Sequence, residues 1–273
     1  MAEDKVDFTD VAWGSVGWTM LCTLYLRAYE SRSEHSILRD HAAAEAVERI
    51  EYDFERMRKS LRASSNQYLV ALRARQFDTW TTDFLAGHPD AVALHLGCGL
   101  DSRAFRLDVP AGVHWFDVDV PEVMELRRKL YDETDGYQML GASVTDPDWL
   151  QQVPSGRPVL VIAEGLLPYL TGAEVRQLLQ RLTDRFDTGE LLFDGLPPWI
   201  VRLTKIQHWG TRDAHEIERW NPRLRLVDRV SAMRRYAEIP DRRQRRLFRA
   251  MNTIRPLRNF SRLFRFDWGP ALR

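Results

Sequence analysis

Cysteine is scarce in this chain, which holds only Cys22 and Cys98 among 273 residues. Two thiols cannot build a disulfide framework or a cysteine-rich zinc site, and a reducing compartment would keep both free. Glycine and proline are also sparse, at 15 and 13 residues, which excludes a collagen-like or low-complexity chain. No apolar run reaches the roughly 18 residues of a membrane-spanning helix. The first ten residues are acidic and polar, where a secretion signal would be basic and then apolar. A cytoplasmic protein without a membrane span is expected. Lysine is nearly missing, with 4 against 35 arginines, so arginine is this chain's ordinary cation and a cluster of it need not have been chosen for its fork geometry. Internal repeats and Gly/Ser-rich linkers are absent too, which argues against a solenoid and against two loosely tethered units.

What remains is the composition of a globular chain, 44% hydrophobic and 29% charged. The formal net charge is zero, but residues 219–273 hold 16 arginines against four acids, a surplus of twelve positive charges. The first 218 residues carry the opposite surplus. Within the tail, Arg242, Arg243, Arg245 and Arg246 stand beside Leu247, Phe248, Met251, Ile254 and Leu257, whose spacing predicts a basic amphipathic helix interrupted at Pro256. Such a helix either meets an anionic partner or offsets the acidic remainder as a solvated face.

Periodicity divides the chain near residue 89. Residues 1–88 read as a helical cap: 40–50 has high helix propensity, and Tyr68, Leu69, Leu72, Gln76 and Trp80 form a stripe after Ser64, Ser65 and Asn66, which are candidate caps. Beyond it, short apolar runs at 92–97, 112–119, 137–144, 159–165 and 190–195 alternate with helical stretches at 101–107, 121–131, 146–152 and 172–186. The run at 159–163 is apolar at every position, as strands covered on both faces are. Five such units make a doubly wound α/β sheet. Residues 224–230 and 262–268 are extended candidates that could pair as antiparallel edge strands, and 89–273 reads as one continuous domain.

In an open α/β sheet a ligand binds outside the carboxyl ends of the strands. The first end reads Leu96-Gly97-Cys98-Gly99-Leu100-Asp101; Gly97 and Gly99 permit a sharp turn and a close approach, although the third glycine of a pyrophosphate cradle is missing. Asp119 closes the second end, 22 positions after Gly97, near the spacing at which a carboxylate can accept from both hydroxyls of a ribose. Glu164 stands alone at the end of an apolar strand, where burial is costly unless it is paired or faces the crevice. These features point to a cofactor that contains adenosine.

The stretches LGCGLDSRAFRL (96–107), WFDVDVPEVMELRRKL (115–130), GASVTDPDWL (141–150), VLVIAEGLLPYL (159–170) and ELLFDGLP (190–197) together resemble the leucine carboxyl methyltransferase family, in its bacterial branch tied to polyketide synthesis. The resemblance implies a class I methyltransferase fold, a Rossmann-like seven-stranded sheet carrying an N-terminal helical extension and a lid. It further implies S-adenosylmethionine as cofactor and S-adenosylhomocysteine as product. Gly97 and Gly99 would touch the cofactor, Asp119 the ribose, Ser143 and Val144 the adenine, and Glu164 the methionine end. Arg73, with Arg75 close by, matches the family's arginine for the cofactor carboxylate. Cys98 takes a place where relatives mostly carry alanine. A nicotinamide dehydrogenase would explain the Asp119 spacing but lacks the third glycine and the five stretches. A degenerate methyltransferase holding a polyanion on its tail is the other alternative.

The implied acceptor is a carboxyl group of a small, secondary-metabolite-like molecule, with a hydroxyl or phenol as the alternative, and neither nucleic acid nor metal is expected. A carboxylate is already ionised at neutral pH, whereas a phenol with pKa near 10 benefits from a positioned base. Residues 196–222 read as the lid, where Arg202, Lys205, His208, Arg212, Asp213 and His215 lie among Trp199, Trp209 and Trp220. The indoles either cover an aromatic substrate or pack the core. Tyr169, His208 and His215 are the candidate catalytic residues, the histidines as general bases.

Overall fold

A computed structural model describes residues 5–204 and 206–270. The chain begins with β1 (Val6–Asp7), α1 (Val16–Ser31), α2 (His41–Arg49), β2 (Ile50–Glu51), α3 (Phe54–Ser60) and α4 (Ala63–Gly87). The alternating region follows as β3 (Val92–Leu96), α5 (Arg103–Arg106), β4 (His114–Asp119), α6 (Pro121–Arg128), β5 (Tyr137–Gly141), β6 (Val159–Ala163), α7 (Gly172–Arg185) and β7 (Gly189–Gly195). After it come α8 (Pro198–Val201), α9 (His215–Trp220), β8 (Arg225–Ser231), α10 (Arg242–Thr253), α11 (Arg255–Arg258) and β9 (Arg262–Trp268). β1 and β2 pair with each other, and the other seven strands form one sheet in the order β5-β4-β3-β6-β7-β9-β8.

Strands β3 to β7 run parallel, and β9 lies antiparallel between β7 and β8. Thus only β8 of the two predicted edge strands is at an edge. The five-residue strands β3 and β6 are buried throughout. On β3, Val92, Leu94 and Leu96 enter the core shared with α7, while Ala93 enters the core shared with α1 and α4. Period-2 alternation therefore turns His95 toward the N-terminal helices. The strand order reverses between β3 and β6, which opens the crevice where such sheets bind ligands.

Local signals set most helix starts. Ser15, Asp40 and Asp53 cap α1, α2 and α3, and Thr171 with Glu174 forms a capping box on α7. Helix α4 differs from expectation. Its N-cap is Arg62 in the left-handed region (φ 46°), so Ser64, Ser65 and Asn66 fall inside the first turn. The amides of Ser65 and Asn66 donate to Arg62 O at 2.9 and 3.2 Å, which already serves the donors those side chains would have capped. The stretch at 146–152 is a 3-10 turn (Asp148–Gln152) rather than an α-helix.

The arginine-rich segment is helical as expected, with a break at Ile254 just ahead of Pro256. Phe248 is buried against Tyr68 and Leu72 of α4, with Met233 and Ile239 beside it. Arg242, Arg243, Arg246 and Arg249 are exposed, but so are Leu247, Ile254 and Leu257. The apolar face is therefore narrower than the spacing predicts. No described helix is long and apolar enough to cross a membrane.

Candidate active site

A cavity of about 340 Å³ lies at the carboxyl ends of β3, β4, β6 and β7 and is closed from outside by α1. Gly97 and Gly99 adopt φ 60° and 52° at its floor. A Cβ on Gly97 would stand 2.8 Å from Leu166 Cδ1, so only glycine leaves this turn intact. The amides of Gly99 and Val120 donate to Asp119 Oδ2 and Oδ1, both at 2.8 Å. Burial raises the Asp119 pKa, although these two amides work against the rise. The carboxylate keeps lone pairs for a diol, and the glycine turn leaves room beside it. The floor thus fits the nucleoside part of S-adenosylmethionine.

Beside that floor lies a buried lattice of ions. Glu164 Oε1 accepts from Arg73 Nε at 2.9 Å and from Arg27 Nη2 at 3.3 Å, while Oε2 accepts from Arg103. Arg103 reaches Asp78 Oδ1 at 2.8 Å, and Arg106 bridges Asp78, Asp101 and Asp40. Arg27 stands 2.9 Å from Asp101 Oδ2. Arg73 Nη1 donates to Asp194 Oδ2 at 2.8 Å, and Asp194 Oδ1 accepts from the Gly165 amide at 2.6 Å. Burial alone would raise the Glu164 pKa; the charges of Arg103, Arg73 and Arg27 overcome that and hold it at about 2. Arg73 Nη2 donates to nothing among the described residues, and the buried Arg27 Nε has no partner. Both arginines line the cavity, so it offers cationic donors for the cofactor's own carboxylate.

The structure brings Arg73, Gly97, Gly99, Asp119, Glu164 and Tyr169 to one cavity. Ser143 and Val144 are not among its lining residues. Ser143 Oγ pairs with Thr145 Oγ1 at 2.7 Å, and Arg181 draws the Val144 and Thr145 carbonyls toward α7, which turns Val144 into the core. His208 and His215 do not line it either, so this geometry lends their reading as general bases no support. His208 is exposed, and its backbone rather than its ring is engaged, its amide donating to Pro168 O at 2.7 Å. The His215 ring is 73% exposed and sits 2.7 Å from Glu218 on the surface. The tryptophans are packing residues and surface: Trp209 is buried near Phe193 and Trp220, and Trp199 is 53% exposed. Arg75 points outward toward Glu238, and Lys205 lies outside the described residues.

Sequence reasoning missed Arg27, Asp78, Asp101, Arg103, Asp194 and the α1 residues Thr19, Met20 and Thr23. A signal existed for three of them, since Asp101 and Arg103 belong to LGCGLDSRAFRL and Asp194 to ELLFDGLP. Cys98 lines the cavity as a small buried group whose thiol burial pushes well up. Among the described residues no group of three His, Cys, Asp or Glu side chains could hold a metal.

Comparison with known proteins agrees with this geometry. The family described as leucine carboxyl methyltransferase matches residues 20–183. The chain is 47% identical over 225 residues to the tetracenomycin polyketide synthesis O-methyltransferase TcmP of Streptomyces glaucescens, covering 79% of this chain and 82% of the relative. It is 35% identical to the S-adenosyl-L-methionine-dependent methyltransferase dpfgK of Gibberella zeae, over 81% and 84% of the two chains. A methyltransferase structure from Thermobifida fusca superposes over 90% of this chain and 94% of its own with a TM-score of 0.59 at 19% identity, a likeness of fold.

Proposed function

Because the chain belongs to the leucine carboxyl methyltransferase family and is an S-adenosylmethionine-dependent methyltransferase, we propose that it methylates a carboxyl oxygen of a small, secondary-metabolite-like molecule in the cytoplasm. One observation carries the choice of a carboxylate over a phenol: among the described residues, the side of the cavity away from the ion lattice carries no carboxylate and no imidazole. Glu164, Asp101 and Asp194 face arginines, and Asp119 accepts two backbone amides. His95 lies 3.2 Å from Asp117 through Nδ1 and 3.4 Å from Arg103 through Nε2. A phenol on that side would find no carboxylate or imidazole beside it to take its proton. A carboxylic acid with pKa near 4 arrives ionised, whereas a phenol near 10 would not.

Bound S-adenosylmethionine would supply a sulfonium methyl, whose carbon an ionised acceptor oxygen held about 3 Å away could attack in line as the C–S bond breaks and the neutral thioether leaves. The chain's own residues provide the positioning. Asp119 and the glycine turn hold the nucleoside, and Arg73 with Arg27 holds the amino-acid end. The ion lattice keeps both arginines from moving. The 196–209 part of the lid is fastened by the His208 and Trp209 amides, which donate to Pro168 O at 2.7 and 3.2 Å. Leu196, Leu166, Pro168 and Met20 line the cavity and would keep water from the reacting atoms. Tyr169, whose hydroxyl is 3.5 Å from Thr19 Oγ1, borders the space left for the acceptor.

The test offers both acceptor groups on one molecule, 6-hydroxy-2-naphthoic acid, with labelled cofactor. A methyl ester, released as methanol by mild base, is the expected product. A base-stable methyl ether would overturn the assignment.

A further inference from the structure

The cavity has a second wall that takes no part in the ion lattice. It is formed by Val16, Gly17, Thr19, Met20 and Thr23 of α1, the turn Leu166–Tyr169, and Leu196 and Gln207 from the lid segment. Most of it is aliphatic, and its hydroxyl protons are committed. Thr19 Oγ1 donates to Val16 O at 2.6 Å, Thr23 Oγ1 donates to Met20 O at 2.9 Å, and the Tyr169 hydroxyl points at Thr19. Gln207 differs. Its Oε1 lies 3.3 Å from Thr204 Oγ1, whose proton goes to Val201 O at 2.9 Å, and its Nε2 donates to nothing among the described residues. The backbone just beyond it is held in place, since the next two amides are fastened to Pro168 O. Trp209, buried in the core, anchors the segment.

Resting on the carboxylate reading above, we propose that Gln207 is the acceptor-binding residue, its Nε2 donating to the carboxylate of a flat apolar acid whose ring lies against Met20, Leu166 and Leu196. An anionic acceptor needs donors, and this amide is the one on the acceptor wall with hydrogens to spare among the described residues. A neutral donor also suits the reaction. The carboxylate loses its charge as the new bond forms, so a strong ion pair would hold the ground state more tightly than the transition state. An amide orients the anion and leaves the attacking oxygen its nucleophilicity. The aliphatic surroundings supply the affinity for the ring.

The test measures binding of 2-naphthoate and of neutral 2-naphthol to the S-adenosylhomocysteine-loaded enzyme by calorimetry, for wild type, Gln207→Leu and Gln207→Glu. The expected result is 2-naphthoate binding that weakens about tenfold in Gln207→Leu and further in Gln207→Glu, as like charges meet. The 2-naphthol and S-adenosylhomocysteine affinities should stay within twofold. Unchanged 2-naphthoate affinity in Gln207→Glu overturns the proposal, as does wild-type enzyme that does not bind 2-naphthoate. Weakened acid binding in the variants, together with ether rather than ester formation on 6-hydroxy-2-naphthoic acid, would keep the Gln207 site and remove the carboxyl assignment.

Discussion

On the sheet side of the cavity, Glu164, Asp101 and Asp194 share Arg27, Arg73, Arg103 and Arg106 in a buried lattice. The side made by α1 and the 196–209 segment offers instead two threonines, a tyrosine, an amide and aliphatic carbons. On the proposed reading, the first wall meets the cofactor, whose shape and charge never vary. Fixing it with ions is costly to assemble and equally costly to disturb, because removing one partner strands a buried charge. On the same reading, the second wall meets the acceptor, and being held by a few backbone bonds and by packing it can change at less cost to the fold. The contrast extends to the arginines themselves. Arg103 is wholly buried between two acids, whereas Arg242, Arg243, Arg246 and Arg249 are exposed. Residue type alone does not say which kind of work an arginine does.

The contrast breaks most visibly at Arg103. Arg103→Met should cost about 3–5 kcal/mol of stability by stripping Glu164 Oε2 of its partner and Asp78 of one of its two arginines, read from urea unfolding; a loss below about 1 kcal/mol would deny the lattice its role. Next, Asp119→Ala should weaken S-adenosylhomocysteine by tenfold or more, about 1.5–3 kcal/mol for a charged acceptor of hydrogen bonds. Its melting temperature should move little, and calorimetry reads both. Acid titration sharpens the same wall. Glu164 has its pKa depressed from 4.5 to about 2, so its contribution is complete above the unfolded value and is lost as pH falls from 4.5 toward 2. Melting temperature measured against pH should therefore decline below 4.5, and more steeply than in Glu164→Gln. On the acceptor wall, Thr19→Val should shift acceptor KM several-fold while stability stays within about 1 kcal/mol. The smallest effect belongs to His208→Ala and His215→Ala, whose turnover should equal wild type.

Legibility in the sequence followed the range of the interactions involved. Strands β3 and β6 were readable because a run buried on both faces is apolar at each position, and β9 fell at 262–268 as expected. Gly97, Gly99, Asp119 and Glu164 were readable because each ends a strand, and strand ends converge. Arg27 was not, since α1 carries no motif and only tertiary packing brings it to Glu164 from 137 positions away. Gln207 and the two histidines show the same limit from the other direction. All three lie in the predicted lid, and composition cannot say which loop side chain turns inward. The Pro168 carbonyl decides it, by taking the His208 and Trp209 amides. The caps expected at Ser64–Asn66 failed because a left-handed Arg62 starts the helix earlier.

If the acceptor arrives ionised and no base takes its proton, the reaction should be indifferent to pH near neutrality. The pH dependence of kcat/KM from pH 6 to 9 tests it most directly, with 2-naphthoate as acceptor and saturating cofactor. A flat profile is predicted, since an acceptor with pKa near 4 is fully ionised across that range. A rate that climbs tenfold per pH unit and then levels would reveal a base that must lose its proton first, and would contradict the account.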